Sequence, residues 1–264
     1  NTGVGAIATG ATVNLNGGSL FGNATFALDN AGANNRGIAL NAAGGTLAAS
    51  TSNTMTVSGV VSGIGNLNIG TGTIAGTGAG TANATALVGG GTVVLTGANT
   101  YSGSTTVSAG TLNINGIYAL GGANYAGLTL NGGTLKYATA FSGNGGGDVT
   151  GAGSNTLTIG SSGGTINTNG NNVTFANKFG DAATGGFSKT GSGSLTLSNG
   201  VSYSSNTSIS GGSLITNGNL PGGVSVVSGG SGPTGPAAAA PSAPPARSRP
   251  SSAAARSPSP RTPS

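Results

Sequence analysis

Large aliphatic residues in this chain alternate with Thr, Asn and Ser over runs of four to six residues, and Gly or Asn closes each run. ATVNLNGGSLFG at 11–22 holds two such runs around Asn16-Gly17-Gly18, and AGLTLNGGTLKY at 126–137 repeats them around Asn131-Gly132-Gly133. A Gly-Gly pair followed by Thr or Ser and an aliphatic returns at Thr46-Leu47, Thr165-Ile166 and Ser213-Leu214. Alternation at a period of two makes a strand with one buried face. Asn-Gly and Gly-Gly supply the positive φ that corners need. Helical periodicity is missing throughout, so the chain reads as all-β.

The strongest pattern is a repeat. Residues 89–116 read GGGTVVLTGANTYSGSTTVSAGTLNING and return, shifted by 102 positions, in the segment 191–218. Gly91 meets Gly193, Tyr101 meets Tyr203, Gly110 meets Gly212, Leu112 meets Leu214 and Gly116 meets Gly218. A supersecondary unit recurring at a long fixed shift points to a stacked array. The predicted inward positions are Val93, Leu95, Val107, Leu112 and Ile114, with Leu195, Leu197, Ile209, Leu214 and Thr216 in the second copy. Asn-Gly-Gly between alternating runs also suits hairpins in an antiparallel meander. Long regular shifts and strands almost without charge favour a solenoid, in which each coil binds only its neighbours. At roughly 20 residues per coil, residues 1–232 make about 11 coils, and a spacing of ~4.8 Å gives a rod on the order of 50 Å.

The order Gly-Thr-x-x-Leu-Thr-Gly-x-Asn-Thr-Tyr-Ser-Gly-x-Thr-x-Val-x-x-Gly-Thr-Leu over residues 91–112 resembles the passenger-associated transport repeat of bacterial autotransporters (type V secretion), and 191–218 is similar to a decayed second copy. The resemblance implies a right-handed parallel β-helix, secretion through the outer membrane, and display at or release from the cell surface. It implies that the chain is a fragment, with the signal peptide and the C-terminal translocating barrel lying elsewhere in the parent. It names no single activity, because the family has none. The expected role is an adhesin-like stalk whose host or cell-surface ligand the sequence does not identify. The alternative is a structural β-solenoid whose open coil ends pair into fibres, which low charge and Asn/Thr ladders favour.

Composition narrows the chemistry. Only 4% of residues are charged, and the chain has no Cys and no His; globular domains carry roughly 25% charged residues. The surface must then be covered by Asn, Ser, Thr and Gly. The net charge of +5 is concentrated in the tail. Arg36, Lys136, Lys178 and Lys189 nearly balance Asp29, Asp148 and Asp181, whereas Arg247, Arg249, Arg256 and Arg261 stand unopposed. The body therefore lacks the basic face that nucleic-acid binding needs. Without Cys there are no disulfides and no zinc–thiolate sites.

No catalytic, cofactor-binding or metal-binding residue is assigned, and no small-molecule substrate is expected. A Ser-His-Asp or Cys-His arrangement is impossible without His and Cys. Three scattered Asp do not supply paired carboxylates, and Asp148 with Lys178 is too sparse for a polysaccharide lyase. Gly145-Gly146-Gly147-Asp148 echoes a calcium coil but reads as a solvated turn. Lys189-Thr190 lacks the spaced glycines of a phosphate loop. Tyr101 and Tyr203 are read as corner residues, each packing its ring on the next coil with the hydroxyl in water; the competing reading is a surface aromatic that binds sugar. Asn-x-Ser/Thr sequons begin at Asn23, Asn83, Asn172 and Asn206, as chance allows at this composition.

Residues 71–90 read as a loop or thin coil, and 142–155 as a long surface excursion. At Pro233 the composition changes: nine of the ten Pro and four Arg fall in 233–264, and no apolar residue there is larger than Ala. Such a segment cannot offset the entropy of ordering and is expected to be disordered. It reads either as a Pro-rich basic linker or wall-associating tail, or as coding sequence in a shifted frame.

Overall fold

A computed structural model describes residues 12–28, 36–74, 85–141, 148–150, 157–180, 185–220, 222–226 and 230–234. Short strands wind around one apolar axis. The longest sheet has nine strands, one from each successive turn: Phe26–Ala27, Thr54–Val57, Thr92–Leu95, Thr111–Ile114, Thr134–Tyr137, Gly164–Asn167, Phe187–Thr190, Thr207–Ile209 and Val224–Val226. A second sheet stacks six strands, from Ser19–Gly22 to Leu157–Ile159. Two shorter sheets complete the turns. One holds Val13–Leu15, Ile38–Leu40 and Val61–Gly63, and the other holds Val173–Phe175, Ser194–Leu197, Gly212–Thr216 and Gly230–Thr234. Pairing in all four is parallel, so the protein is a parallel β-helix. Nine stacked strands at ~4.8 Å span on the order of 40 Å.

Register explains the alternation. In the longest sheet Met55, Val93, Leu112, Leu135, Ile166, Lys189, Ile209 and Val226 form one column. Beside it runs a column of hydroxyls: Thr54, Thr92, Thr111, Thr134, Thr165, Ser188, Ser208 and Ser225. The first column points inward; the second is partly or fully exposed. All ten predicted inward positions are buried, Thr216 included. Burying one such aliphatic contributes about 1.5–3 kcal/mol.

Three expectations change. Residues 71–90 are not a thin coil: Thr71–Ile74 and Thr85–Val88 pair as an antiparallel hairpin, the one antiparallel ladder among the described residues. Two short alternating runs pair with each other and return the chain to Gly89, where the interrupted turn resumes. The excursion at 142–155 is broken by Asp148, Val149 and Thr150, which are buried; 142–147 and 151–156 lie outside the described residues. The hairpin lengthens its turn, since Val93 is in register with Met55, 38 residues before it, but with Leu112 only 19 residues after it. Lastly, Gly230–Thr234 pairs with Gly212–Thr216 through a shifted register, so Pro233 and Thr234 belong to a strand. That pairing is made by backbone groups and needs no apolar side chain, and an outermost strand tolerates Pro. Residues 235–264 lie outside the described residues.

Candidate functional site

Among the described residues no classical active centre is assembled. Among the described residues no three His, Cys, Asp or Glu cluster, and no helix is long and apolar enough to cross a membrane. The residues of the repeat instead converge on contacts between coils, and almost every position of the 91–112 motif has a definable part in them.

Asn99 is the first. It is 4% exposed. Its Oδ1 accepts the Val61 N–H at 2.8 Å, and its Nδ2 donates to the Ala119 carbonyl at 2.7 Å. Val61 precedes Asn99 by one turn and Ala119 follows it by one, so a single amide satisfies backbone groups on both neighbours. Val61 opens the edge strand Val61–Gly63 and Ala119 lies in the 3-10 turn Ile117–Leu120, so the amide answers groups for which no strand is paired on that side. The sequence motif contains this asparagine, but alternation alone gives no hint that it is internal.

Tyr101 and its counterpart Tyr203 overturn the expectation of a wetted hydroxyl. Both rings are buried. The Tyr101 hydroxyl bonds Thr105 Oγ1 at 2.6 Å, and the Tyr203 hydroxyl bonds Thr207 Oγ1 at 2.6 Å. Thr105 and Thr207 sit in inward strand positions and are themselves buried. The pair therefore seals two polar groups inside the core. Burial pushes the Tyr101 phenol well above its usual range, and Tyr203 up to about 12, with the threonine bond opposing the rise in both. Tyr101→Phe is expected to cost about 1–3 kcal/mol, because Thr105 is left unpaired in the core. Adding Thr105→Val should restore most of that loss; urea unfolding of the two variants decides it.

The glycines serve two ends. Gly103 has no unusual φ, yet a Cβ there would lie 2.2 Å from the Gly65 carbonyl oxygen of the previous turn. Close approach between coils excludes any side chain. Gly110 has φ 64° and its partner Gly212 has φ 60°, a corner that L-residues adopt at a cost.

Asparagines at corners bind the coils from outside. Asn66 Oδ1 accepts the Ser104 N–H, Asn131 Oδ1 that of Ser162, Asn172 Oδ1 that of Ser194, and Asn206 Oδ1 that of Gly223. Two of these, Asn172 and Asn206, begin sequons, and their side chains are engaged in the fold.

Asp148 is not a solvated turn. Its carboxylate is buried; Oδ1 accepts the Thr150 N–H and hydroxyl, and Oδ2 accepts the Ala176 N–H at 2.8 Å. Lys178 is exposed. Lys189 is buried and donates to four oxygens. Aromatic residues, scarce in the sequence, collect in one internal row from Tyr137 through Phe175, Phe179 and Phe187 to Tyr203, with ring centroids 5.3–6.4 Å apart. Each such pair contributes about 0.5–1.5 kcal/mol beyond area burial. On the outside, a shallow trough of about 440 Å³ runs beside the hydroxyl column past Thr165, Ser188, Ser208 and Ser225, and its lining carries no charged side chain.

Two segments, residues 88–114 and 187–215, match the family model of the passenger-associated-transport-repeat. The chain carries two transport repeats. They associate it with autotransporter passengers, for which secretion to the cell surface is implied. Comparison with curated proteins and with solved structures gives no match. The first transport repeat holds Asn99 and the Tyr101–Thr105 pair. The second begins at Phe187 and so includes Lys189, which the shorter alignment from 191 omits. It keeps Tyr203–Thr207 but has Val201 where the first has Asn99.

Proposed function

We propose that the protein is the stalk of a secreted autotransporter passenger, displayed at the outer surface and adhesin-like in role. Its transport repeats support its own export by folding coil upon coil outside the membrane, which draws the chain across and opposes its return. The observation that carries this is the coincidence of the repeat motif with devices that join adjacent turns: Asn99 to Val61 and Ala119, and Gly103 against Gly65. A segment so built releases free energy as each turn docks on the last. The partner in this reading is a host or cell-surface ligand met along the flank, where outward hydroxyls and the uncharged trough lie. The work is structural, and no reaction is assigned.

Deleting 89–116 from the full-length parent is expected to lower surface display, measured by antibody labelling of intact cells. Unchanged display would count against the role given to the repeat.

A second reading, assembly into fibres, is favoured by one edge. Val224 and Val226 continue the inward column of Thr207 and Ile209, yet are 41% and 45% exposed. An outermost parallel strand presents unpaired backbone groups to another coil. Light scattering of the purified chain separates the two, since a stable monomer at high concentration speaks against fibres.

A further inference from the structure

Lys189 occupies a place in the inward column that Ile166 and Ile209 fill on either side. Its residue exposure is 0%. The Nζ donates to Thr168 Oγ1 at 3.0 Å and to the carbonyls of Thr190, Gly191 and Gly211 at 2.9, 2.8 and 2.9 Å. An ammonium has three N–H donors, so four oxygens share them. The oxygens lie at or just past the ends of the strands Gly164–Asn167, Phe187–Thr190 and Thr207–Ile209, and so belong to three successive turns. Gly211 comes from the turn laid down after the lysine's own. Until that turn docks, the amine has only three of its four protein acceptors.

No carboxylate offsets the charge among the described residues. The one described acid, Asp148, is engaged with Thr150 and Ala176. The groups against the amine from the packed elements are hydroxyl and carbonyl oxygens, none of which titrates. Removal from water holds the amine down to about 8.

We propose that Lys189 is a charged clamp that makes the turns from Gly164 to Thr216 fold and open as one unit. A partly stacked stretch carries the desolvation cost of the ammonium without all of its acceptors, so intermediates are depleted. Elsewhere in a solenoid, turns are added one by one under nearest-neighbour terms. The clamp also couples the unit to pH. The unfolded lysine keeps its proton to about 10.5, whereas the folded one loses it near 8. Between those values the unfolded chain binds more protons, so stability rises with pH across that window. This goes beyond the export role, and the two fail separately: deleting 89–116 leaves Lys189 untouched.

Native-state hydrogen exchange of the full chain at pH 7 tests the clamp, with Lys189→Met as the variant. In the wild type, amides of Gly164–Asn167, Phe187–Thr190, Thr207–Ile209 and Gly212–Thr216 are expected to share one opening constant. In Lys189→Met those constants should spread by tenfold or more along the segment. From pH 7 to 9, below the range in which Tyr203 ionises in the opened chain, the wild-type opening constant should fall by about tenfold, and that of the variant should stay level. Graded opening in the wild type, or an equal pH slope in the variant, overturns the proposal. Thr168→Val keeps the lysine and removes one acceptor. It should move the alkaline rise to lower pH, and an unmoved rise also overturns the clamp.

Discussion

Val107→Asp is expected to abolish ordered stacking in the first transport repeat. Val107 is 0% exposed and pairs in register with Ile69 on one turn and Leu130 on the next. Packing there leaves no slack: a Cβ on Gly133 would stand 2.3 Å from a Val107 methyl. The substitution loses about 1.5–3 kcal/mol of aliphatic burial. It also places a carboxylate in the core without a partner, which costs several kcal/mol whether the group stays charged or takes up a proton. Together these rival the total stability of an ordinary domain, about 5–15 kcal/mol. Ser108→Asp, one residue along, faces outward. It forfeits the Ser108 hydroxyl bonds to Asn68 and Ile69, a loss of about 1–2 kcal/mol. Circular dichroism in a urea series should therefore show a folded Ser108→Asp chain and a Val107→Asp chain with its β signal much reduced. Equal midpoints for the two would remove the inward–outward assignment on which the fold rests.

The second large effect is Asn99→Ala. Truncation leaves the Val61 N–H and the Ala119 carbonyl without a partner, both in a buried setting. Each costs about 1–3 kcal/mol, so the expected loss is about 2–6 kcal/mol. The control is Asn115→Ala, an exposed residue whose amide stands 3.5 Å from the Thr96 carbonyl. That change should lie within about 0.5 kcal/mol of wild type, as surface substitutions do. Thermal unfolding of the two variants gives the comparison. A mild Asn99→Ala would mean that solvent reaches those backbone groups. The second repeat lives with Val201 at this position, yet Asn99→Val should be no milder than Asn99→Ala, because valine still leaves both backbone groups unanswered.

Much of the architecture was legible because a strand's period of two maps directly on to inside and outside. Val93, Leu95, Leu112 and their counterparts at Leu195, Leu197 and Leu214 could be placed inward from alternation alone. The shift of 102 residues exposed the repeat for the same reason: coils of one kind need the same residues at the same places. What misled was polarity taken as a guide to exposure. Asn99, Asp148 and Lys189 are polar and internal because each meets partners contributed by other turns, and Tyr101 is internal because Thr105, four residues on, answers its hydroxyl inside the core. No local window contains both members of the pairs that join turns, such as Asn99 with Ala119 or Asp148 with Ala176. The hairpin at Thr71–Val88 was missed because two weak alternating runs look alike whether they pair with each other or with their neighbours above and below.

By itself, then, the sequence determined a nearly uncharged chain of short strands, which side chains of each strand enter the core, where the repeat lies, and that histidine- or cysteine-based catalysis has no residues to use. Only the tertiary structure decided which strands pair, that they run parallel, and that the polar members of the motif sit inside as links between turns. The reason is physical: side-chain periodicity is a property of one strand, whereas hydrogen-bond partnership in a stack depends on the register of a turn that lies some twenty to forty residues away.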